Sequence, residues 1–109
     1  MATTYKVLGQ SNPSATTATT LYTCPALTQT VISTITICNQ AATSGTYRIA
    51  VRPNGATLAK EHYVVYDASI TANTTSAYTL GLTIDASDVV TVYASSADIS
   101  FNAYGSEIA

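Results

Sequence analysis

Apolar residues recur along this chain at every second position in short runs, the period of two that turns one side of an extended strand toward a core. Tyr47, Ile49 and Val51 alternate with Arg48, Ala50 and Arg52. Tyr78, Leu80, Leu82 and Ile84 form a second stripe, opposed by Thr79, Gly81 and Thr83. In the last run Ile99, Phe101 and Ala103 face one way, and Ser100, Asn102 and Tyr104 the other. Between Gln29 and Asn39, Val31, Ile35 and Ile37 share a face against Thr34 and Thr36. Ile32 and Cys38 break that alternation, so this strand is either covered on both sides or changes sheet along its length. Tyr5 to Leu8, Leu21 to Cys24, His62 to Asp67 (apolar on both parities) and Val89 to Ala94 complete a set of about eight predicted strands. Only Thr57 to Glu61 has helical character, enough for a single turn and too short for a stable helix alone.

Turn chemistry separates the runs. Pro53-Asn54-Gly55 ends one strand, because proline cannot donate to a ladder and Asn-Gly tolerates positive φ. Asp85-Ala86-Ser87-Asp88 is a turn, and Ser95-Ser96-Ala97-Asp98 reads as a hairpin loop between the last two strands. Short strands at regular spacing, each with one apolar face, predict an all-β antiparallel sandwich, jelly-roll or immunoglobulin-like. Residues 1–109 form one domain, and the Ser/Thr/Ala-rich stretch 11–20 is a loop or an extended arm.

Charge is scarce: 9% of the residues are Asp, Glu, Lys or Arg, against roughly 25% in ordinary soluble domains. A surface wetted by hydroxyls keeps copies apart weakly, which suits a part packed among other parts. The net charge is −2, and the only strong bases are Lys6, Arg48, Arg52 and Lys60, so nucleic-acid binding is not expected. The first residues hold no apolar stretch of signal-peptide length and no membrane span follows, so the expectation is a cytoplasmic product without a membrane partner. If residues 20–24 pair with 29–33 across the turn Pro25–Thr28, Cys38 lies at the far end of its strand from Cys24. A bridge within one chain would then break disulfide geometry, and two reduced, buried thiols are expected, with a bridge between copies as the alternative.

Candidate chemistry is sparse. A catalytic base could only be His62, the single histidine, and neither cysteine carries a hydrolase signature, so no catalytic residue is assigned. Asp85 and Asp88 bracket a four-residue turn, where aspartates bond nearby amides; no metal or cofactor is assigned. Asn73-Thr74-Thr75 matches the N-glycosylation pattern by chance in a threonine-rich chain. Two features remain as binding signals. Arg48 and Arg52 share a strand face about 13 Å apart, either a solvated face with casual ion pairs or a recognition pair for a partner's carboxylates. Of the eight tyrosines, Tyr47, Tyr66 and Tyr78 read as core or core edge, whereas Tyr63, Tyr93 and Tyr104 fall on the opposite parity and are candidates for partner contact.

The chain also resembles a family of small structural proteins of tailed bacteriophages and cyanophages. The residues that carry the likeness are Tyr5-Lys6-Val7-Leu8-Gly9-Gln10, Leu21-Tyr22-Thr23-Cys24-Pro25-Ala26 and Val31-Ile32-Ser33-Thr34-Ile35. Tyr47-Arg48-Ile49-Ala50-Val51-Arg52-Pro53, Asp88-Val89-Val90-Thr91-Val92-Tyr93-Ala94-Ser95 and Gly105-Ser106-Glu107-Ile108 extend it over nearly the whole chain. These are strand-and-turn patterns, so no functional residue is carried over. The resemblance implies a β-sandwich in the virion: a capsid decoration (cement) protein bound to the major capsid protein, or a tail, baseplate or fibre module. Self-association is expected, as a trimer first and a dimer second. A carbohydrate-binding or adhesin domain is the alternative of a different class.

Overall fold

The computed structural model describes residues 2–109 and is built from nine strands: β1 (Thr3–Ser11), β2 (Thr19–Thr23), β3 (Gln29–Asn39), β4 (Gly45–Arg52), β5 (Tyr63–Ile70), β6 (Thr74–Tyr78), β7 (Leu82–Ile84), β8 (Val89–Ala94) and β9 (Ile99–Ile108). One sheet runs β1-β9-β3-β6, with β7 also paired to β3; the other runs β2-β8-β4-β5. Every pairing is antiparallel. Apart from β4–β5 and β6–β7, each connection carries the chain from one sheet to the other. With β6 and β7 sharing one position at the sheet edge, this is the order of a jelly roll, not of an immunoglobulin sandwich.

That order corrects two predicted hairpins. Residues 20–24 do not pair with 29–33: β2 lies beside β8 and β3 beside β9. The turn before β3, with Leu27 at φ +57, lifts the chain into the opposite sheet. Likewise β8 and β9 belong to different sheets, and the loop between them is tied sideways, Ser95 N–H to Thr46 O and Gln40 N–H to Asp98 O. A hairpin and a crossover bury the same apolar faces, so alternation could not separate them. The stripe predicted over 78–84 is also interrupted: Gly81 sits at φ +63 between β6 and β7, and Leu80 is exposed. In place of one turn over 57–61, short 3-10 turns occupy Pro53–Gly55 and Lys60–His62.

The core lies between the sheets and is lined by Ile32, Ile35, Ile37, Tyr47, Ile49, Ile70, Val90, Val92, Ile99 and Phe101. On β3 a bulge at Ser33 shifts the register against β9, so Ile32 points inward with Ile35 and Ile37, while Val31 turns outward. This explains the broken alternation: β3 neither changes sheet nor needs cover on both faces. The Tyr47 ring meets Phe101 and Tyr78 edge-on at centroid distances of 6.3 and 6.2 Å, and the two tyrosine hydroxyls bond at 2.6 Å. Gly105 is required where β9 passes β3, because a Cβ there would overlap Val31 O.

Polar side chains close both ends of the sandwich. At the end of β3 the buried Asn39 donates to Thr43 O, Ile70 O and Thr71 O and accepts from Ala41 N–H. At its start Tyr22 Oη bonds Thr30 Oγ1 at 2.8 Å and donates to Glu107 Oε2 at 2.5 Å, and Lys6 Nζ bonds the other carboxylate oxygen at 3.1 Å. Cys24 Sγ joins this network through Thr28 O and Thr30 Oγ1. Cys38 lies instead among the outward residues of β3, between Thr75 and Ser100. Both thiols are free, as expected, but Cys38 is half-buried and not a core residue. The stretch 11–20 ends β1 and starts β2, and the segment between them is fastened as a loop. Asn12 Nδ2 donates to Ala97 O and Ile99 O, and Thr16 N–H to Ala94 O.

Candidate functional site

The outer face of the β2-β8-β4-β5 sheet carries a cluster centred on Arg48. On β4, Tyr47 and Ile49 point into the core, so Arg48 between them must point out. Tyr93 of β8 stands directly opposite in the register, and its ring centroid lies 4.1 Å from the guanidinium carbon. On the other side, the pairing of Tyr47 with Ala68 and of Ile49 with Val65 leaves two β5 residues, Tyr66 and Asp67, facing the single residue Arg48. This bulge, with Asp67 at φ +50, aims both side chains at one target. The Tyr66 ring centroid is 4.4 Å from the guanidinium carbon, and Asp67 Oδ1 accepts from Arg48 Nε at 2.6 Å.

The guanidinium is therefore held between two aromatic faces and a carboxylate. Each stacked ring contributes about 0.5–1 kcal/mol at such an exposed site. The hydrogen bond to Asp67 raises the Arg48 pKa further above its ordinary value, against the opposing effect of burial; the group is a permanent cation. Tyr63 meets Tyr66 edge-on at 4.9 Å. Lys60, Tyr63 and Tyr66 line a cleft of about 490 Å³ beside the cluster. These side chains fix one another's rotamers, which lowers the entropy lost when a partner docks. Tyr66 remains 59% exposed and offers an aromatic surface with a hydroxyl at its rim.

Three of the five predicted contact residues, Arg48, Tyr63 and Tyr93, meet here. Arg52 does not: Nε donates to Thr91 Oγ1 at 3.0 Å, and Nη1 donates to Gly55 O at 3.2 Å and Ala56 O at 2.9 Å. It fastens the segment after β4 back over its own sheet. Tyr104 lies on the outward parity of β9, in the other sheet, 37% exposed. Sequence reading missed Tyr66, Asp67 and Lys60, and it placed Tyr66 at the core edge. A second register shift between Ile49 and Ala50 leaves Val64 unpaired, so parity counting fails along β5. The sign was the run His62 to Asp67 itself, apolar on both parities.

His62 Nδ1 accepts from Ala59 N–H at 3.0 Å and shapes the short turn before β5. Asp88 accepts from Asn54 N–H and Asp85 N–H, and Asp85 from Ala86 N–H, so both aspartates hold turns as expected. Asn73 is exposed at φ +52 on the connection from β5 to β6. Among the described residues no three His, Cys, Asp or Glu side chains gather in a metal-binding group, and no helix is long and apolar enough to cross a membrane. No family model matches the chain, and comparison with curated proteins and with solved structures finds no match to either.

Proposed function

We infer that the protein is a non-enzymatic virion component that decorates a phage capsid and stabilises its shell, docking on the major capsid protein through the Arg48 face. The observation that carries this reading is the pre-ordered group of Arg48, Tyr63, Tyr66 and Tyr93 on the outside of a rigid sheet. Tyrosine and arginine are the residues that anchor protein interfaces, giving contact area at small entropic cost. The jelly roll is an architecture shared by capsid and lectin domains, and the phage-like strand and turn patterns favour the first. The sole histidine is occupied in a backbone turn, which supports a role without catalysis.

Purified protein added to expanded empty capsids should occupy them and raise their melting temperature. Tyr66→Ala with Tyr93→Ala should lower occupancy at least tenfold, since two such anchors carry about 2 kcal/mol or more each. Immunogold labelling confined to tails would redirect the reading to a tail or baseplate element. The cleft beside Lys60, Tyr63 and Tyr66 favours a second reading, a glycan-binding module in which a sugar ring stacks on Tyr66. Saturable heat in calorimetry with a host polysaccharide, lost in Tyr66→Ala, would establish it.

A further inference from the structure

Three of the four lysine and arginine side chains are engaged inside the chain: Lys6 with Glu107, Arg48 with Asp67, and Arg52 with Thr91 and two carbonyls. Among the described residues, Lys60 alone of the four has no hydrogen-bond or ion-pair partner for its side chain. It stands exposed at the cleft of about 490 Å³ that it lines with Tyr63 and Tyr66. The cleft thus offers two aromatic rings and one free cation, a lining that fits an apolar side chain next to a carboxylate.

The chain carries that combination itself, on the turn after β2. Leu27 is 94% exposed and sits at φ +57, a left-handed conformation that disfavours a side chain of its size. The other described non-glycine residues at positive φ, Thr16, Asn54, Asp67, Asn73 and Ser87, are all polar. Burial within its own chain does not offset the strain at Leu27, and strain of this kind is kept where a functional contact uses it. Leu27 lines a cavity with Asp85, Ala86 and Ile108. Asp85 accepts from Ala86 N–H through one carboxylate oxygen at 2.8 Å and makes no ion pair.

We propose that Leu27 of one copy seats against Tyr63 and Tyr66 of another, with Asp85 beside it facing Lys60. Complementarity selects a second copy: the one free base stands in an aromatic cleft, and the one apolar residue held at positive φ stands beside a carboxylate without a cation. Thr23 pairs with Val89, Val89 with Arg52, and Ala50 with Tyr63, so both patches stand at the same end of the sandwich. They lie on the turns that follow one edge strand of the sheet, β2, and precede the other, β5. Three strand spacings, about 14 Å, separate those strand ends, so every copy offers one patch of each kind to its neighbours. A closed assembly makes the contact at least twice. The bulges of β5 oppose strand addition at this edge, which leaves the contact to side chains. Arg48 and Tyr93 do not line the cleft, so the pairing goes beyond the capsid reading and leaves those two residues open to it.

Sedimentation equilibrium should show a reversible oligomer of the 11.3 kDa chain. The Leu27 methyl resonances should move upfield as it forms, because protons above the face of an aromatic ring are shielded. Leu27→Asn, which suits left-handed backbone, should keep or raise the melting temperature of the dilute chain and raise the dissociation constant about 30-fold for each contact, the effect of one buried leucine. Lys60→Glu combined with Tyr66→Ala, both at exposed side chains, should weaken assembly to a similar degree. Mixing the two variants tests the pairing directly, since one keeps the cleft and the other keeps Leu27. Together they should form a one-to-one heterodimer at concentrations where each alone is monomeric. A wild-type chain that stays monomeric to about 1 mM, a Leu27→Asn chain that assembles like wild type, or a mixture that fails to pair would each overturn the proposal. None of these measurements involves capsid, so failure here leaves the capsid reading standing, and the reverse.

Discussion

Tyr22→Phe removes one hydroxyl from the latch that ties β2, β3, β9 and β1 together at one end of the sandwich. Two bonds go: Thr30 Oγ1 loses its 2.8 Å contact but keeps Cys24 Sγ at 3.2 Å, whereas the Glu107 carboxylate loses its 2.5 Å donor and retains Lys6 alone. A hydrogen bond to a charged acceptor is worth about 1.5–3 kcal/mol, so about 2 kcal/mol should go at pH 7. For a domain of this size that lowers Tm by about 8 °C, at about 4 °C per kcal/mol. The pH dependence is the sharper part. The Tyr22 hydroxyl, then Lys6, hold the Glu107 pKa below the ordinary glutamate range against the opposing effect of burial. Burial and the facing carboxylate push Tyr22 up, so the proton stays on the tyrosine. A carboxylate whose folded pKa is depressed contributes stability that is present above its unfolded value, about 4.3, and lost as pH falls through the folded pKa. The gap between wild type and Tyr22→Phe should be full at pH 7 and shrink as the pH falls below the unfolded value of about 4.3. Urea titrations at several pH values measure it, with the slope unchanged between the two proteins. A gap below about 0.5 kcal/mol at pH 7, or one of constant size into acid, would refute the latch.

Three further outcomes rest on the packing. Gly105→Ala drives a Cβ into Val31 O, a backbone atom with no rotamer to yield; calorimetry should show a loss of about 3 kcal/mol or more. Arg52→Ala removes three bonds, two of them to the carbonyls of Gly55 and Ala56, and should cost about 1–3 kcal/mol with amide exchange accelerated in the segment after β4. Capsid occupancy should be kept at temperatures where that variant is folded. A thiol reagent should modify Cys38 in the native protein and Cys24 only on unfolding, since Cys24 is 1% exposed at the closed end of the core; equal rates would contradict the burial.

The chain by itself determined that this is an all-β sandwich with one core, and which way many side chains point. Ile99, Phe101 and Ala103 inward, Tyr47 and Ile49 inward and Arg48 outward were all legible, because a period of two is a local property of an extended backbone. What only the tertiary structure decided was which strands are neighbours and where the pairing slips. Segments 20–24 and 29–33 bury the same faces whether they form a hairpin or cross between sheets, and no local preference separates the two. The bulges at Ser33, Val64 and Tyr66–Asp67 are set by the fit of one backbone against another far away in the chain, yet each reverses the parity of the residues beyond it. The Arg48 cluster shows both halves. Its arginine and Tyr93 are outward residues by parity alone, and Tyr63 is outward through the bulge at Val64; their meeting with Tyr66 and Asp67 required a neighbouring strand with two residues facing one.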